Sequence, residues 1–409
     1  MKYLTMDDFD LRGKTVFVRV DVNSPIDPIT GVILDKSRFE AHRSTLSELR
    51  NSKVVILAHQ SRPGKRDYIS LRPHAEVFTN ILGKKVEFVE DLMGEYARKR
   101  IESLKKGEYI LLENTRFYAE EYCLKKGKFE DTNIVKNLLP YVDVFINDAF
   151  AAAHRAQTTL VGFARKVPML AGRLMQREIE NLTKFMVMKD RPKVAVLGGA
   201  KAEDSIKVAE NFLQRDIVDK VLTGGVVAYF FLLAKGYDIG EGSMEYLHKE
   251  FDNYQELVNR AKKLLDNYDD RIEVPVDVVV NMQGKRKGMP IMDLPVKEPI
   301  YDIGIDTAVK YAQIIKDAKG IAVNGPMGVF EIPEFSTGTI EVFRAIASSN
   351  GFKVAGGGHT IAAIEIYGLK KKFDHISTGG GSLITFLSGG DMPVLNALEE
   401  SYYLFSKEH

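Results

Sequence analysis

Apolar runs that alternate with helix-like stretches constrain the fold of this chain more than any other feature. Several of these runs are continuously apolar, which is typical of strands buried on both faces of a parallel sheet. Helix-like stretches fall between them, so the pattern predicts an α/β fold. The predicted strands are residues 15–20, 53–58, 86–89, 109–112, 144–147, 193–197, 220–223, 273–280, 320–324, 352–355 and 375–377. Predicted helices include residues 36–50, 72–82, 202–213, 246–267, 306–318 and 337–349.

The length of 409 residues favours two domains over one. Apolar side chains recur at helix-compatible spacing between the two halves, and Pro192 would stop a helix there. The predicted division is residues 1–170 for the first domain, 171–190 for a long connecting helix, 191–395 for the second domain and 396–409 for a segment returning to the first.

The composition argues against several functions. A net charge of +1 disfavours a dedicated nucleic-acid binder. Cys123 is the only cysteine, so no intrachain disulfide can form, as suits a reducing cytosol. The first twenty residues carry several charges, and the longest apolar run, 226–234, is too short to span a bilayer. We therefore expect a soluble, cytoplasmic protein that binds neither nucleic acid nor a membrane.

Glycine-rich junctions between strands and helices are frequent in the second half. They read LGGAK at 197–201, NGPMGVF at 324–330, GGGHT at 356–360 and STGGGS at 377–382. A helix start leaves N–H groups without internal partners and carries partial positive charge, while glycine admits a ligand close to the backbone. Triple glycines can also be plain flexible turns. Several such junctions at one sheet edge nevertheless predict a polyphosphate site.

The first half instead places polar and cationic side chains after its strands. Asp21 and Asn23, two residues apart, would leave the same face of the chain. Taken alone, they are better explained as turn caps before Pro25. The cations at such positions are Arg38, His59, Arg62, Arg116 and Arg155. Arginine binds phosphate and carboxylate bidentately, so four arginines in these places predict an anion site, although any single one would be a surface charge.

Lys201 lies at a predicted strand-to-helix turn, from which its side chain can reach a phosphate. The alternative is a solvated lysine at a helix start. The surrounding residues match neither the GxxxxGK[ST] loop nor the GxGxxG dinucleotide motif.

Taken in order, the motifs RVDVNSP, AHQSRP, LLENTRFY, NDAFAAAHR, LGGAK, NGPMGVFE and STGGGS resemble those of the phosphoglycerate kinase family. The resemblance extends from Arg19 to at least Asn396. It implies two Rossmann-like domains with parallel sheets, separated by a cleft. It also implies reversible phosphoryl transfer from 1,3-bisphosphoglycerate to MgADP, giving 3-phosphoglycerate and MgATP in glycolysis and gluconeogenesis. Mg²⁺ would accompany ATP or ADP, and the protein would be a monomer or a homodimer.

The resemblance assigns roles motif by motif. The residues it implies for triose binding are Asp21, Asn23, Arg38, His59, Arg62, Arg116 and Arg155. Those it implies for nucleotide binding are Gly198, Gly199, Lys201, Gly225, Asn324, Pro326, Glu331, Gly356, Gly357, Gly358, His359 and Thr360, with glycines 379–381. Glu331 would bind the ribose hydroxyls. The residues it implies for catalysis are Arg38, Lys201, Gly358 and Gly381.

Two positions depart from the family pattern. The family usually reads GGAKxxDK and GGGDT, whereas this chain has Ser205 and His359, a pairing similar to the archaeal branch. Because a neutral imidazole is a poor magnesium ligand, Asp204 becomes the candidate metal ligand. Losing a lysine and an aspartate leaves the net charge unchanged when His359 is neutral. We therefore hypothesise that the two changes compensate each other.

Phosphoryl transfer needs alignment and charge stabilisation, which Arg38 and Lys201 could supply. Since the two sets of groups lie on different predicted domains, a hinge closure is expected. One alternative is a different carboxylate kinase or ligase whose anion pocket fits another acid. Another is a nucleotide-binding protein without catalysis. A dinucleotide oxidoreductase is disfavoured because GxGxxG is absent.

Overall fold

The computed structural model describes residues 1–27, 29–124 and 127–406, and the chain forms two compact units. The first comprises Met1–Ile179 with the chain from Asp391 onward, and the second comprises Glu180–Gly390. The division falls inside one helix, Arg173–Val187. The connecting role of this helix stays a prediction. Over the described ranges, no helix is both long enough and apolar enough to cross a membrane.

A parallel sheet forms the centre of the first unit. Its strands are β1 Leu4–Thr5, β2 Thr15–Arg19, β3 Lys53–Leu57, β4 Val86–Val89, β5 Tyr109–Leu112, β6 Val144–Asn147 and β7 Met169–Ala171. They lie in the order β1-β7-β6-β2-β3-β5-β4, and each neighbouring pair is parallel. The helices up to the division are α1 Ser37–Ala41, α2 Arg43–Glu48, α3 Arg72–Leu82, α4 Glu95–Glu102, α5 Asn133–Leu138, α6 Thr158–Val161 and α7 Arg173–Val187. Strands β5 and β6 are buried along their whole length, as their continuous apolar sequences predict.

The second unit repeats this arrangement with a second parallel sheet. Its strands are β8 Lys193–Leu197, β9 Lys220–Thr223, β10 Ile272–Glu273, β11 Asp277–Met282, β12 Lys285–Pro290, β13 Ile300–Ile303, β14 Gly320–Asn324, β15 Phe352–Gly356 and β16 His375–Ile376. The parallel sheet has the order β10-β9-β8-β14-β15-β16, and β12-β11-β13 form a small antiparallel sheet. Its helices are α8 Ala202–Gln214, α9 Gly225–Ala234, α10 Glu241–Glu250, α11 Tyr254–Tyr268, α12 Ile305–Lys316, α13 Thr337–Ser348, α14 Gly358–Ile366 and α15 Gly380–Leu387. Helix α16, Pro393–Phe405, belongs to the first unit. The predicted α/β fold with parallel sheets is confirmed.

Three predicted elements are each interrupted. The helix predicted over 36–50 breaks at His42, whose ring bonds to Asp148 and to the backbone of Asp21. The helix predicted over 246–267 breaks between α10 and α11 at the sequence FDN, because aspartate and asparagine favour turns and helix starts. The strand predicted over 273–280 divides into β10 and β11, since Pro275 lacks the N–H that a ladder needs.

Two buried aspartates in the second unit hold helix starts from neighbouring strands. Asp277, in β11, accepts hydrogen bonds from the N–H groups of Asp306 (3.1 Å) and Thr307 (2.8 Å) at the start of α12. Asp302, in β13, accepts from the N–H of Gly338 (2.7 Å) at the start of α13 and from that of Ile303 (3.0 Å). Neither helix has a capping side chain at its own N-cap, so the side-chain oxygens of these two aspartates accept the hydrogen bonds that a cap would accept.

Asp302 makes stability depend on pH. Burial raises its pKa to about 7, against a value near 4 in an unfolded chain. Between pH 4 and 7 the folded protein retains a proton that the unfolded chain has released, so raising the pH favours unfolding. We expect the unfolding free energy of the wild type, relative to Asp302→Asn, to fall by up to roughly 4 kcal/mol across this window. Denaturant titrations from pH 4 to 8 measure this difference. Asp317→Asn removes a carboxyl group at an exposed position and is the control for the loss of one charge. Unfolding free energies of the wild type and Asp302→Asn that change in parallel with pH would contradict the role given to Asp302.

Candidate functional site

The triose-binding residues expected from the resemblance follow neighbouring strands of the first unit. Asp21 and Asn23 follow β2, His59 and Arg62 follow β3, Arg116 follows β5, and Arg155 follows β6. These four strands are consecutive and parallel, so the loops after them leave the same edge of the sheet. Arg38 lies in α1.

Asp21 and Arg38 form a direct pair. The Arg38 guanidinium lies 3.2 Å from Oδ1 of the buried Asp21 carboxylate, which also accepts the N–H of Asn23 at 3.0 Å. Burial alone would raise the pKa of Asp21, but the positive charges of Arg38 and Arg19 and the hydrogen bond from the Asn23 N–H favour the carboxylate, and the pKa is lowered. Asp21 is therefore an ionised carboxylate beside a half-buried arginine, a combination suited to binding a hydroxyl next to an anionic group.

His59 is fully buried and has a defined tautomer. Its Nδ1 lies 2.9 Å from the Arg19 guanidinium, which can only donate, so Nδ1 accepts and Nε2 carries the proton. Burial lowers the pKa of His59 well below its usual value; the charge of Asp21 opposes this shift, and the neighbouring guanidinium groups add to it. His59 is thus a neutral N–H donor at neutral pH.

Arg19 and Glu121 form a buried pair behind His59. Arg19 donates to the Thr159 hydroxyl (2.8 Å) and lies 3.7 Å from the Glu121 carboxylate. Glu121 also accepts from the Thr159 N–H (2.8 Å) and hydroxyl (2.6 Å). Burial lowers the pKa of Arg19 and raises that of Glu121. Sequence reasoning assigned no role to Arg19, and it missed Glu121 because no local pattern marks that residue.

The backbone of Ser61 links two further members of the set. Its N–H donates to Oδ1 of Asn23 (2.9 Å), and its carbonyl accepts from the Arg116 guanidinium (2.5 Å). Ser61 has a φ of 56°, a left-handed conformation that is costly for a residue with a side chain. The exposed Arg62 follows Ser61. Among the described residues, no hydrogen bond or ion pair joins the Arg62 side chain to the other predicted triose-binding residues.

Positive charge in this region is not fully compensated. Burial, together with the charges of Arg155 and Arg19, lowers the pKa of Arg116 to about 10. Nε of Arg116 is buried without a hydrogen-bond partner in the described part of the chain. A buried guanidinium with an unsatisfied N–H beside other cations is a setting that an anion would stabilise.

In the second unit, four helices begin directly after parallel strands of one sheet. Helices α8, α9, α14 and α15 follow β8, β9, β15 and β16, so all four N-termini lie at the carboxyl edge. Their N-cap residues are Lys201, Gly224, Gly357 and Gly379. None of the four helices has a side-chain hydrogen bond at its N-cap, since three of these residues are glycine and Lys201 makes no such bond. The NGPMGVF junction differs from this pattern, since β14 leads into a turn and a short 3₁₀ turn before α13.

Backbone contacts bring several of the predicted nucleotide-binding residues together. The N–H of Gly198 donates to the Asn324 carbonyl (2.9 Å), and that of Gly199 donates to the Pro326 carbonyl (2.8 Å). A Cβ at Gly198 would collide with Pro326, and one at Gly225 would lie 2.7 Å from Gly199 N. Glycine at these two positions is therefore required for the loops to pack, whatever they bind.

A cavity of about 480 Å³ opens beside these loops. Its walls include the apolar or aromatic side chains of Tyr229, Leu232, Val278, Ile300 and Met327. Some of the predicted nucleotide-binding residues also line the cavity, namely Gly199, Gly225, Pro326, Glu331 and His359. A cavity lined largely by apolar and aromatic side chains, with a few polar groups, suits a flat base carrying a polar substituent.

Lys201 and Asp204 lie in an adjoining depression, which shares Ala200 and Tyr246 with the cavity. Lys201 is exposed, and Glu203 is paired with Lys207 at 2.6 Å, whereas Asp204 shares the depression with the carboxylates of Glu250 and Asp252. Within the described ranges no three His, Cys, Asp or Glu side chains form a metal-binding group. One carboxylate fits a magnesium ion held mainly by nucleotide phosphates and water.

Asn324 and the residue after it contact two further motif positions. Its Nδ2 donates to the hydroxyl of the buried Ser205 (3.4 Å), and the N–H of Gly325 donates to the hydroxyl of Thr360 (2.7 Å). Gly356 is buried, whereas Gly358 and Gly381 are exposed at the starts of α14 and α15. The exposed His359 ring lies 6.5 Å from that of Phe330.

Comparisons with known proteins agree with this geometry. The family model described as phosphoglycerate kinase matches residues 6–390. The phosphoglycerate kinase of Thermoplasma acidophilum is 50% identical, with 99% of each chain covered, and that of Methanothermus fervidus is 50% identical, with 98% of each covered. The crystal structure of the Pyrococcus horikoshii phosphoglycerate kinase matches with a TM-score of 0.89 at 46% identity, covering 98% of this chain and 100% of the other. The structure of the Coxiella burnetii enzyme matches with a TM-score of 0.82 at 32% identity, covering 98% and 99%. The chain therefore belongs to the phosphoglycerate kinase family.

Proposed function

We propose that this chain transfers a phosphoryl group reversibly between 1,3-bisphosphoglycerate and MgADP, giving 3-phosphoglycerate and MgATP. The observation that carries the proposal is the division of chemistry between two sheets. Guanidinium groups collect at the carboxyl edge of the first, and helix starts without capping side chains collect at the carboxyl edge of the second. The cytoplasmic location expected from the sequence stays a prediction.

The first unit would bind the triose. Arg62, Arg116 and Arg155 would supply positive charge for its phosphate. The N–H at Nε of Arg116 has no hydrogen-bond partner among the described residues and could donate to a phosphate oxygen. Asp21 would accept a hydrogen bond from the hydroxyl, and His59 would donate from Nε2. Arg38, held by Asp21, would face the carboxyl end that carries the transferred group.

The second unit would bind the nucleotide. The apolar side chains that line the cavity would accommodate a purine ring, and Glu331 lies on its wall, where it could accept hydrogen bonds from ribose hydroxyls. The N–H groups at the starts of α14 and α15, with Lys201, would hold the phosphates. Mg²⁺, bound chiefly to the phosphates with Asp204 as its protein carboxylate, would neutralise charge on the nucleotide.

The chemistry requires positioned charge and no general base. A terminal oxygen of ADP forms a bond to the phosphorus of the acyl phosphate while the bond from that phosphorus to the carboxyl oxygen breaks. The electron pair remains on 3-phosphoglycerate as a carboxylate, and no proton moves. Arg38 and Lys201 would stabilise negative charge on the transferring oxygens.

Replacing Arg38 tests the catalytic assignment. In a coupled assay of 3-phosphoglycerate with MgATP, we expect Arg38→Ala to lower kcat by about 100-fold or more, since preorganised charge at the reacting oxygens is lost. Because Arg38→Ala also removes the partner of the buried Asp21 carboxylate, its unfolding free energy is measured together with kcat. The exposed Arg43→Ala is the matched control. Turnover by Arg38→Ala at the wild-type rate would remove Arg38 from the mechanism.

Gly358 tests the nucleotide site separately from folding. A Cβ there would meet no atom within 4 Å, and alanine favours helices, so Gly358→Ala should fold as stably as the wild type. If the nucleotide approaches this backbone, the added methyl group should raise the KM for ATP by about tenfold, or about 1.4 kcal/mol. Gly288→Ala, with equally open surroundings in β12, is the control. An unchanged KM for ATP in Gly358→Ala would rule out this approach.

Hinge closure, a further part of the proposal, predicts compaction. Small-angle X-ray scattering should show a smaller radius of gyration with 3-phosphoglycerate and a non-hydrolysable MgATP analogue together than with either alone, because only both ligands bring both sets of charges to one reaction centre. Equal radii in all four ligand states would count against closure.

The departures at Ser205 and His359 call for a double-mutant cycle. Ser205 is buried against Asn324 and His359 is exposed, so Ser205→Lys alone should impair kcat/KM for ATP more than His359→Asp alone. If the two positions compensate, the double variant should recover at least about 1 kcal/mol relative to the sum of the single changes. Additive effects would refute compensation.

A further inference from the structure

His42 is a buried histidine with a hydrogen bond at each ring nitrogen. Its side chain is 1% exposed and lies at the break between α1 and α2. Nδ1 lies 2.7 Å from Oδ2 of Asp148, and Nε2 lies 3.1 Å from both the backbone N and the carbonyl O of Asp21. The ring therefore bridges the loop after β2 and the loop after β6.

The partners fix the tautomer of the neutral ring. A carboxylate can only accept, so Nδ1 carries the proton and donates to Asp148. In the neutral ring Nε2 then has no proton, so it accepts from the Asp21 N–H and does not donate to the Asp21 carbonyl. Because His42 and Asp148 are both buried, breaking either hydrogen bond of the ring would leave a buried polar group without a partner.

The other oxygen of Asp148 holds the beginning of α7. Oδ1 accepts hydrogen bonds from the N–H groups of Leu174 (2.9 Å) and Met175 (3.2 Å). The Thr45 hydroxyl accepts a hydrogen bond from the backbone N–H of Arg173 (2.8 Å). A Cβ on Gly172 would collide with the Asp148 carboxylate, so this close approach requires glycine. The first turn of α7 is thus fixed to the first unit through Asp148 and Thr45.

The network is continuous with the proposed triose site. Asp21 pairs with Arg38, and Arg38 lies four residues before His42. A displacement of the Asp21 backbone on ligand binding must therefore move the His42 ring, and with it Asp148, or break a buried hydrogen bond. Helix α7 is the element within which the division between the two units falls.

We propose that His42 is a positioning residue that couples ligand binding at Asp21 and Arg38 to the first turn of α7 through Asp148. This inference rests on the proposed function, since it requires 3-phosphoglycerate to bind at Asp21. Coupling of this kind is reciprocal, so the hydrogen bonds at the start of α7 also determine how Asp21 and Arg38 are presented to the ligand.

Two amide variants separate the two hydrogen bonds. His42→Asn retains a donor near the position of Nδ1 and loses the contact with Asp21. His42→Gln retains a polar group near the position of Nε2 and loses the contact with Asp148. His42→Phe removes both bonds and keeps a ring. His74→Asn is the control, because His74 is another fully buried histidine of the same unit and lies outside this network.

Hydrogen exchange at the amides of Leu174 and Met175 measures the coupling directly. In the wild type and in His74→Asn, saturating 3-phosphoglycerate should slow exchange of these amides severalfold. In His42→Asn and His42→Gln this ligand-dependent slowing should be lost. The kcat for 3-phosphoglycerate should fall by about tenfold in both, while the KM for MgATP stays within about twofold of the wild-type value.

Retention of the ligand-dependent slowing and of wild-type kcat in both amide variants would overturn the proposal. The proposal would also be overturned if exchange at these amides is faster than in the wild type by the same factor with and without ligand. In that case His42 would only support the helix. If His42→Phe does not fold, the two amide variants still decide the question. Failure of the wild type to turn over 3-phosphoglycerate would instead refute the proposed function.

Discussion

The parallel pairing of strands in each main sheet is the constraint on which the rest of the structure depends. Parallel strands place all their carboxyl ends at one edge, so loops far apart in sequence meet there. In the first unit this brings Asp21, His59 and Arg116 to consecutive strands. In the second it places the starts of α8, α9, α14 and α15 along one edge. Pairing therefore determines where charge and backbone donors accumulate before any ligand is considered.

Buried charges give this arrangement its rigidity. Arg19 and Glu121 lie behind His59, and Asp148 holds the first turn of α7. Near the other end of α7, Nζ of the buried Lys193 donates to the Phe185 carbonyl at 2.6 Å, and burial lowers the pKa of Lys193 to about 8. An acid at the N-terminus and a base at the C-terminus both complement the helix dipole. Each end of this helix is thus fixed within the unit to which it belongs.

The sequence predicted the parts of the fold that rest on local pattern. Strands 86–89, 109–112, 144–147, 193–197, 220–223 and 320–324 were located residue for residue, because each is a short apolar run bounded by polar residues or turns. Strands β1 and β7 are too short to give a signal, and β12 is largely exposed and polar. In the candidate site, motif order indicated the family and its expected residues. The roles of His42, Glu121 and Asp302 arise from contacts with distant parts of the chain or with neighbouring elements, which no local pattern records.

The central claim is that each unit binds one substrate, the triose on the first sheet and the nucleotide on the second. A crystal structure with 3-phosphoglycerate and a non-hydrolysable MgATP analogue tests it most directly. We expect triose oxygens within hydrogen-bonding distance of Asp21, His59 and Arg116, and a nucleotide base in the cavity lined by Tyr229 and Glu331. Both ligands bound to the same unit, or an Arg38 guanidinium directed away from the bound triose, would contradict it.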